Sequence, residues 1–115
     1  MNAKHYVSLE AAKKLKELGY NEITEWATDE DGYIFDLNKC NEDLSSELYA
    51  YPTLLEAMDW LEERGIYIEL SWNPHRKKWW DTTIHRSRYV QDDIVYFLDR
   101  NECMQKAIEK ALELL

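Results

Sequence analysis

Apolar residues fall at helical spacing from Leu54 to Leu61 and then at every second position from Ile66 to Trp72, so Thr53 to Trp72 predicts a helix that runs straight into a half-buried strand. Thr53 is placed to cap the helix, Glu56 completes a capping box three residues on, and Pro52 keeps the preceding residues extended. Gly65, just after Arg64, suits the left-handed conformation that ends helices. This unit carries core positions and no chemistry, and the rest of the chain is read around it.

Upstream, Ser8 as cap and Leu9, Ala12, Leu15 and Leu18 on one face predict a first helix ending at Gly19, while residues 1–7 read as either a short strand or a tail. Ile23 to Ala27 and Tyr33 to Leu37 flank an Asp-Glu-Asp-Gly turn and predict a β-hairpin. Asn38 to Glu47 is a polar, acidic loop with room for one helical turn. After Trp72, Asn73 to Lys78 reads as an exposed turn and Trp79 to His85 as the returning strand. Its alternation sets Trp80, Thr82 and Ile84 over the core, and Trp79, Asp81, Thr83 and His85 outside, with Trp79 near Tyr67 unless a bulge reverses the register. Between Tyr89 and Leu98, the run Ile94 to Leu98 fits either a last strand or a turn of helix. Asp99, Glu102 and the stripe Cys103, Met104, Ala107, Ile108, Ala111 and Leu112 predict a closing helix. The order gives one α+β domain over residues 1–115: a two-layer sandwich, an antiparallel sheet of four to five strands with three helices packed mainly on one face.

Laying Gly19 on Gly65, an offset of 46 residues, also places Leu9-Glu10-Ala11 on Leu55-Glu56-Ala57, Leu15 on Leu61 and Trp26 on Trp72. Duplication accounts for this, and so does convergence, since any helix that stops at glycine and feeds a strand obeys the same patterning.

Charge changes the picture more than composition does. Asn73 to Arg88 carries Arg76, Lys77, Lys78, Arg86 and Arg88 against Asp81, a net of +4 within a chain of −9, whereas Glu22 to Glu47 carries nine carboxylates against Lys39. Arg76, Lys77, Lys78, Trp79, Arg86 and Arg88 are therefore the candidate partner-binding residues, with Tyr89 nearby. A solvated, aggregation-resistant strand edge collects the same residue types. The overall negative charge disfavours general nucleic-acid binding and anionic membranes. Five Trp and eight Tyr supply core, and also the amphipathic side chains that interfaces favour.

The chemical inventory is thin. Asp29, Asp31 and Gly32 resemble the start of a calcium loop, but further ligands and the closing glutamate are missing. His5, His75 and His85 are too scattered to share a metal, and Asp81 and His85 lie too far apart along a strand for a dyad. No cofactor motif is present. Cys103 belongs to a core stripe, which leaves Cys40 as the more reactive thiol by exposure. With no CxxC, no apolar run of signal-peptide length and no membrane-spanning run, the expectation is a cytoplasmic protein with free thiols.

The segments VSLEAAKKLKELG (Val7 to Gly19), AYPTLLEAMDWL (Ala50 to Leu61) and AIEKALEL (Ala107 to Leu114) resemble small uncharacterised proteins of prophages and other mobile elements in gut bacteria. The element order is similar to the phage ABA-sandwich type of domain. The resemblance implies a cytoplasmic accessory protein of a mobile element and brings no activity and no functional residues with it. The leading expectation is a non-enzymatic protein that binds a protein partner through an aromatic and charged surface. A nucleic-acid-binding module using residues 73–88 comes second, and a small hydrolase or nuclease third. Self-association of the acidic lobe with a neighbour's basic hairpin is a further option.

Overall fold

The unit around Gly65 forms as its local signals dictate. In the computed structural model, which describes residues 1–91 and 94–115, helix α2 spans Leu54–Glu63. Thr53 Oγ1 accepts from Glu56 N–H at 3.1 Å, and the Glu56 carboxylate accepts from Thr53 N–H at 2.9 Å. Gly65 then takes φ 81°, and Gly19 does the same at φ 94° after helix α1, Leu9–Glu17. Strands β1 (Thr24–Thr28), β2 (Ile34–Lys39) and β3 (Tyr49–Tyr51) precede α2. Strands β4 (Ile66–Asn73), β5 (Lys78–His85) and β6 (Arg88–Val90) follow it, and α3 spans Arg100–Leu112.

The class is α+β with three helices, but the strands form two antiparallel sheets of three, ordered β2-β1-β3 and β4-β5-β6, in place of one sheet of four to five. The difference lies at β3. Tyr49–Tyr51 had no strand periodicity to announce it, yet it docks along β1 with Trp26 opposite Tyr51 and Thr28 opposite Tyr49. Its outer edge is then closed by the N-terminal segment, where Val7 N–H donates to Pro52 C=O and Tyr6 bridges Thr53. The two hairpins consequently display their charges from different sheets. Residues 1–7 are a 3-10 turn, Ala3–His5, followed by that bridge. In the Tyr89 to Leu98 segment, β6 ends at Val90 and Phe97 forms a single bridge to Trp79; Asp92 and Asp93 lie outside the described residues.

One hydrophobic cluster joins the structure. Leu15, Leu61, Ile66, Ile108 and Leu112 lie at its centre, and Trp60 packs against Tyr20 with ring centroids 5.8 Å apart. Helix α3 is the hub, touching α1, α2, β4 and β5.

The facing of β5 is the reverse of the sequence expectation. Ile66 opposes His85, Ile68 opposes Thr83, Leu70 opposes Asp81 and Trp72 opposes Trp79. Opposed residues share a face, so Asp81 and Thr83 join Ile66 and Ile68 under α3, and Trp80, Thr82 and Ile84 face away. Turn length decides this. Asn73 pairs with Lys78, and the Asn73 side chain accepts from His75 and Arg76 N–H while Lys77, at φ 54°, turns the chain back. Burying Asp81, 8% exposed, is compatible with this register because Lys110 Nζ reaches its carboxylate at 2.9 Å.

Candidate interaction surface

The face of β4-β5-β6 turned away from α3 has no buried residue. Tyr67 opposes Ile84, Ile84 opposes Tyr89, and Trp80 opposes Ser71. A row Tyr67–Ile84–Tyr89 therefore crosses the sheet, with Tyr67 and Tyr89 exposed and Ile84 half-buried. An antiparallel sheet commonly leaves one face to solvent with polar side chains on it, so an aromatic and aliphatic row there marks a surface for interaction.

The predicted cations sit around this face but not together. Arg76, Lys77 and Lys78 lie at the β4–β5 turn, while Arg86 and Arg88 lie at the β5–β6 turn. The length of β5 separates the two groups by about 23 Å. None of these five takes part in an ion pair among the described residues. Arg76 instead stands over the Tyr96 ring at 4.9 Å, and the Arg86 backbone N–H donates to Gly65 C=O.

Trp79 lies on the α3-facing side, half-buried, with its ring 5.4 Å from that of Trp72 and Arg100 5.9 Å from its centroid. That side is covered near Gly65 and opens towards the turn. Ile66 is fully buried, Ile68 nearly so, and Trp72 is 46% exposed. The sequence reading put Trp72 with the core positions and left Tyr67 and Tyr89 out of the candidate partner-binding residues. Alternation did place Tyr67 outside, but exposure along a strand depends on where the covering helix stops.

The chemical candidates resolve separately. Asp81 is held by Lys110, with Thr83 Oγ1 at 3.5 Å, while His85 Nε2 is buried without a partner, so the two form no dyad. A cavity of about 230 Å³ opens beside the pair, lined also by Val90, Gln91 and Leu114. Asp29 Oδ1 accepts from Asp31 and Tyr33 N–H, which makes it a turn-forming side chain. Among the described residues no three His, Cys, Asp or Glu converge as a metal site would require. Cys40 is nearly buried, with Sγ 3.4 Å from Asp43, so exposure does not distinguish it from Cys103 as expected. Burial pushes the Cys103 thiol up to about 11, and the nearby Asp81 charge adds to the shift. No helix among the described residues is long and apolar enough to cross a membrane.

Neither a protein-family model, nor a curated protein, nor a solved structure matches this chain.

Proposed function

We propose that the chain is a non-enzymatic accessory protein of a phage or mobile element, working in the cytoplasm by binding a protein partner through the outer face of β4-β5-β6. The observation that carries the reading is the uncovered Tyr67–Ile84–Tyr89 row with cations at both ends of the same strands. Aromatic residues supply most of the energy of such contacts, and flanking charges set encounter rate and register. The partner surface is thus apolar at its centre and acidic at its rim.

The experiment is quantitative affinity capture from host lysate with three baits: wild type, Tyr67→Ala/Tyr89→Ala, and Arg76→Ala/Lys77→Ala/Lys78→Ala. A protein retained by wild type and lost from both variants supports the proposal, provided both variants keep wild-type denaturation curves. Oligonucleotide binding at low salt that the triple variant abolishes would replace it with the nucleic-acid reading, since Trp72 beside the basic turn has the makings of a stacking platform. Turnover that disappears on replacing Asp81 or His85 would replace it with an enzymatic one.

A further inference from the structure

The two edges of the first sheet are finished differently. On β3, the Ala50 N–H points away from β1 and the buried Asn41 side chain accepts from it at 2.8 Å, while donating to Tyr20 C=O at 2.8 Å. With Val7 bonded to Pro52 beyond it, that edge is closed.

On β2 the edge is open. Asp29 N–H donates to Tyr33 C=O, which makes 29 and 33 a hydrogen-bonded pair. Antiparallel alternation then turns the N–H and C=O of Ile34 and Asp36 away from β1, and no hydrogen bond among the described residues reaches them. Every residue of β2 is exposed, Ile34, Phe35 and Leu37 at 38, 38 and 37%. The register slips once, near Asn38 at φ 51°, which leaves Tyr33 to Asp36 as straight ladder. Edges that must avoid company carry charges, proline or central bulges. This one has Asp36, Lys39 and a bulge only in its second half, and carries Tyr33, Ile34 and Phe35 in a row before them.

The charge around it selects the occupant. Residues 22–47 hold nine carboxylates against Lys39, Asp36 among them on β2 itself, and Asp29, Glu30, Asp31 and Glu47 line an open depression of about 350 Å³ at the β1–β2 turn, on the β3 side of the sheet. The Tyr49 hydroxyl and Lys13 hydrogen-bond to Glu30 and hold its carboxyl below the usual range. A second copy would bring the same acidic segment edge to edge. A neighbour's β5 cannot reach in either, because it is bonded along one side by β4 and on the other by β6 and Phe97, and β6, an edge strand of three residues with Arg88 as its one cation, is too short to alternate cations with apolar residues along Tyr33 to Asp36.

We propose that β2 is a strand-addition site for an extended segment of another protein in which lysine or arginine alternates with apolar residues. The segment's backbone completes the ladder at Ile34 and Asp36, its apolar side chains lie beside Tyr33 and Phe35, and its cations lie on the face of Asp36. The site is independent of the surface on β4-β5-β6.

The test uses the full chain, isotope-labelled for amide hydrogen exchange, with a short synthetic peptide alternating lysine and valine. Two controls have the same composition in blocks, and glutamate in place of lysine. The alternating peptide should slow exchange at Ile34 and Asp36 by about tenfold or more and leave Phe35, already bonded to β1, unchanged. Neither control peptide should do so. Asp36→Pro removes an outward N–H and no ladder bond, so it should abolish the effect with exchange in α2 and β4 unaltered; Tyr67→Ala/Tyr89→Ala should leave it intact. Absence of protection at Ile34 and Asp36, equal protection by the glutamate peptide, or concentration-dependent protection without peptide, which would make the occupant a second copy, each overturns the proposal.

Discussion

The segments Ser8–Lys39 and Thr53–His85 are the same device used twice with opposite outcomes. Each is a capped helix, a glycine at positive φ and a hairpin. Equivalent residues are buried alike: Ala11 with Ala57, Leu15 with Leu61, Tyr20 with Ile66. Yet the first strand after the glycine is central in one sheet, as β1 between β2 and β3, and an edge in the other, as β4 beside β5. What differs is what arrives later in the chain. Tyr49–Tyr51 docks beside β1, with its outer edge held by Asn41, whereas α3 lies over β4 and β5 with Lys110 on Asp81. The helix–glycine–strand unit is thus written locally, and the rank of its strands is written by distant residues.

If the two units share their local device, breaking it should cost the same in each. A Cβ at Gly19 would meet nothing within 4 Å, and at Gly65 only the Arg86 Cγ at 3.6 Å, so the penalty is backbone strain in both. Gly19→Val and Gly65→Val should each lose about 2–3 kcal/mol in chemical denaturation, within about 0.5 of each other. A loss below about 1 kcal/mol at either site would mean that its helix does not end by the left-handed route.

The distant ties should be separable where the glycines are not. Asn41→Leu strands the Ala50 N–H and the Tyr20 C=O and should cost about 2 kcal/mol. Lys110→Met leaves Asp81 buried without its cation and should cost about 1–2 kcal/mol, the value reduced because Lys110 is itself partly exposed. Amide exchange distinguishes them: the first should loosen β3 and β1, the second β5. Loosening of both sheets by either variant would show that the sheets are not independently tied.

The α3 side carries a pH signature that begins at lower pH than that of the other, where burial likewise pushes the Tyr20 and Tyr51 hydroxyls above the usual phenol range. Cys103 ionises in the unfolded chain near the ordinary thiol value of 9.0 and in the folded protein at about 11, so its contribution is complete below pH 9 and is lost as pH rises through 11. Between those limits the unfolded state holds fewer protons, and stability should fall by about 1 kcal/mol by pH 10. Cys103→Ala should reduce that slope, read as the change in denaturation free energy between pH 8 and pH 10.

Much of this was legible from local signals. The caps at Ser8, Thr53 and Asp99, the three helices, both hairpins and the glycine stops follow from side chains within a few residues of where they act. Three things were not. The face of β5 was misassigned because Trp80 and Ile84 are more apolar than Asp81 and Thr83, and the register answers to the length of the Asn73–Lys78 turn and to Lys110, 29 residues from Asp81. Strand β3 is three residues long and is recognised only by its neighbours. The candidate surface was legible as residue types, while the separation of its cations by a full strand length was not.

The turns offer the smallest effect and the sharpest contrast. The β1–β2 turn meets its left-handed position with Gly32 at φ 84°, whereas the basic hairpins use Lys77 at φ 54° and the pair Arg86 and Ser87 at φ 50° and 70°. Side chains there cost stability that glycine would spare, and backbone strain of this kind concentrates where a side chain is needed for something else. Lys77→Gly and Ser87→Gly should each stabilise the fold by about 0.5 kcal/mol, read as a higher denaturation midpoint with an unchanged slope. Lys77→Gly should also weaken partner binding, because the cation is lost, while Ser87→Gly should leave binding alone. If Lys77→Gly instead destabilises, the lysine serves the hairpin and not its partner, and the basic turn of this unit is as structural as the glycine turn of the other.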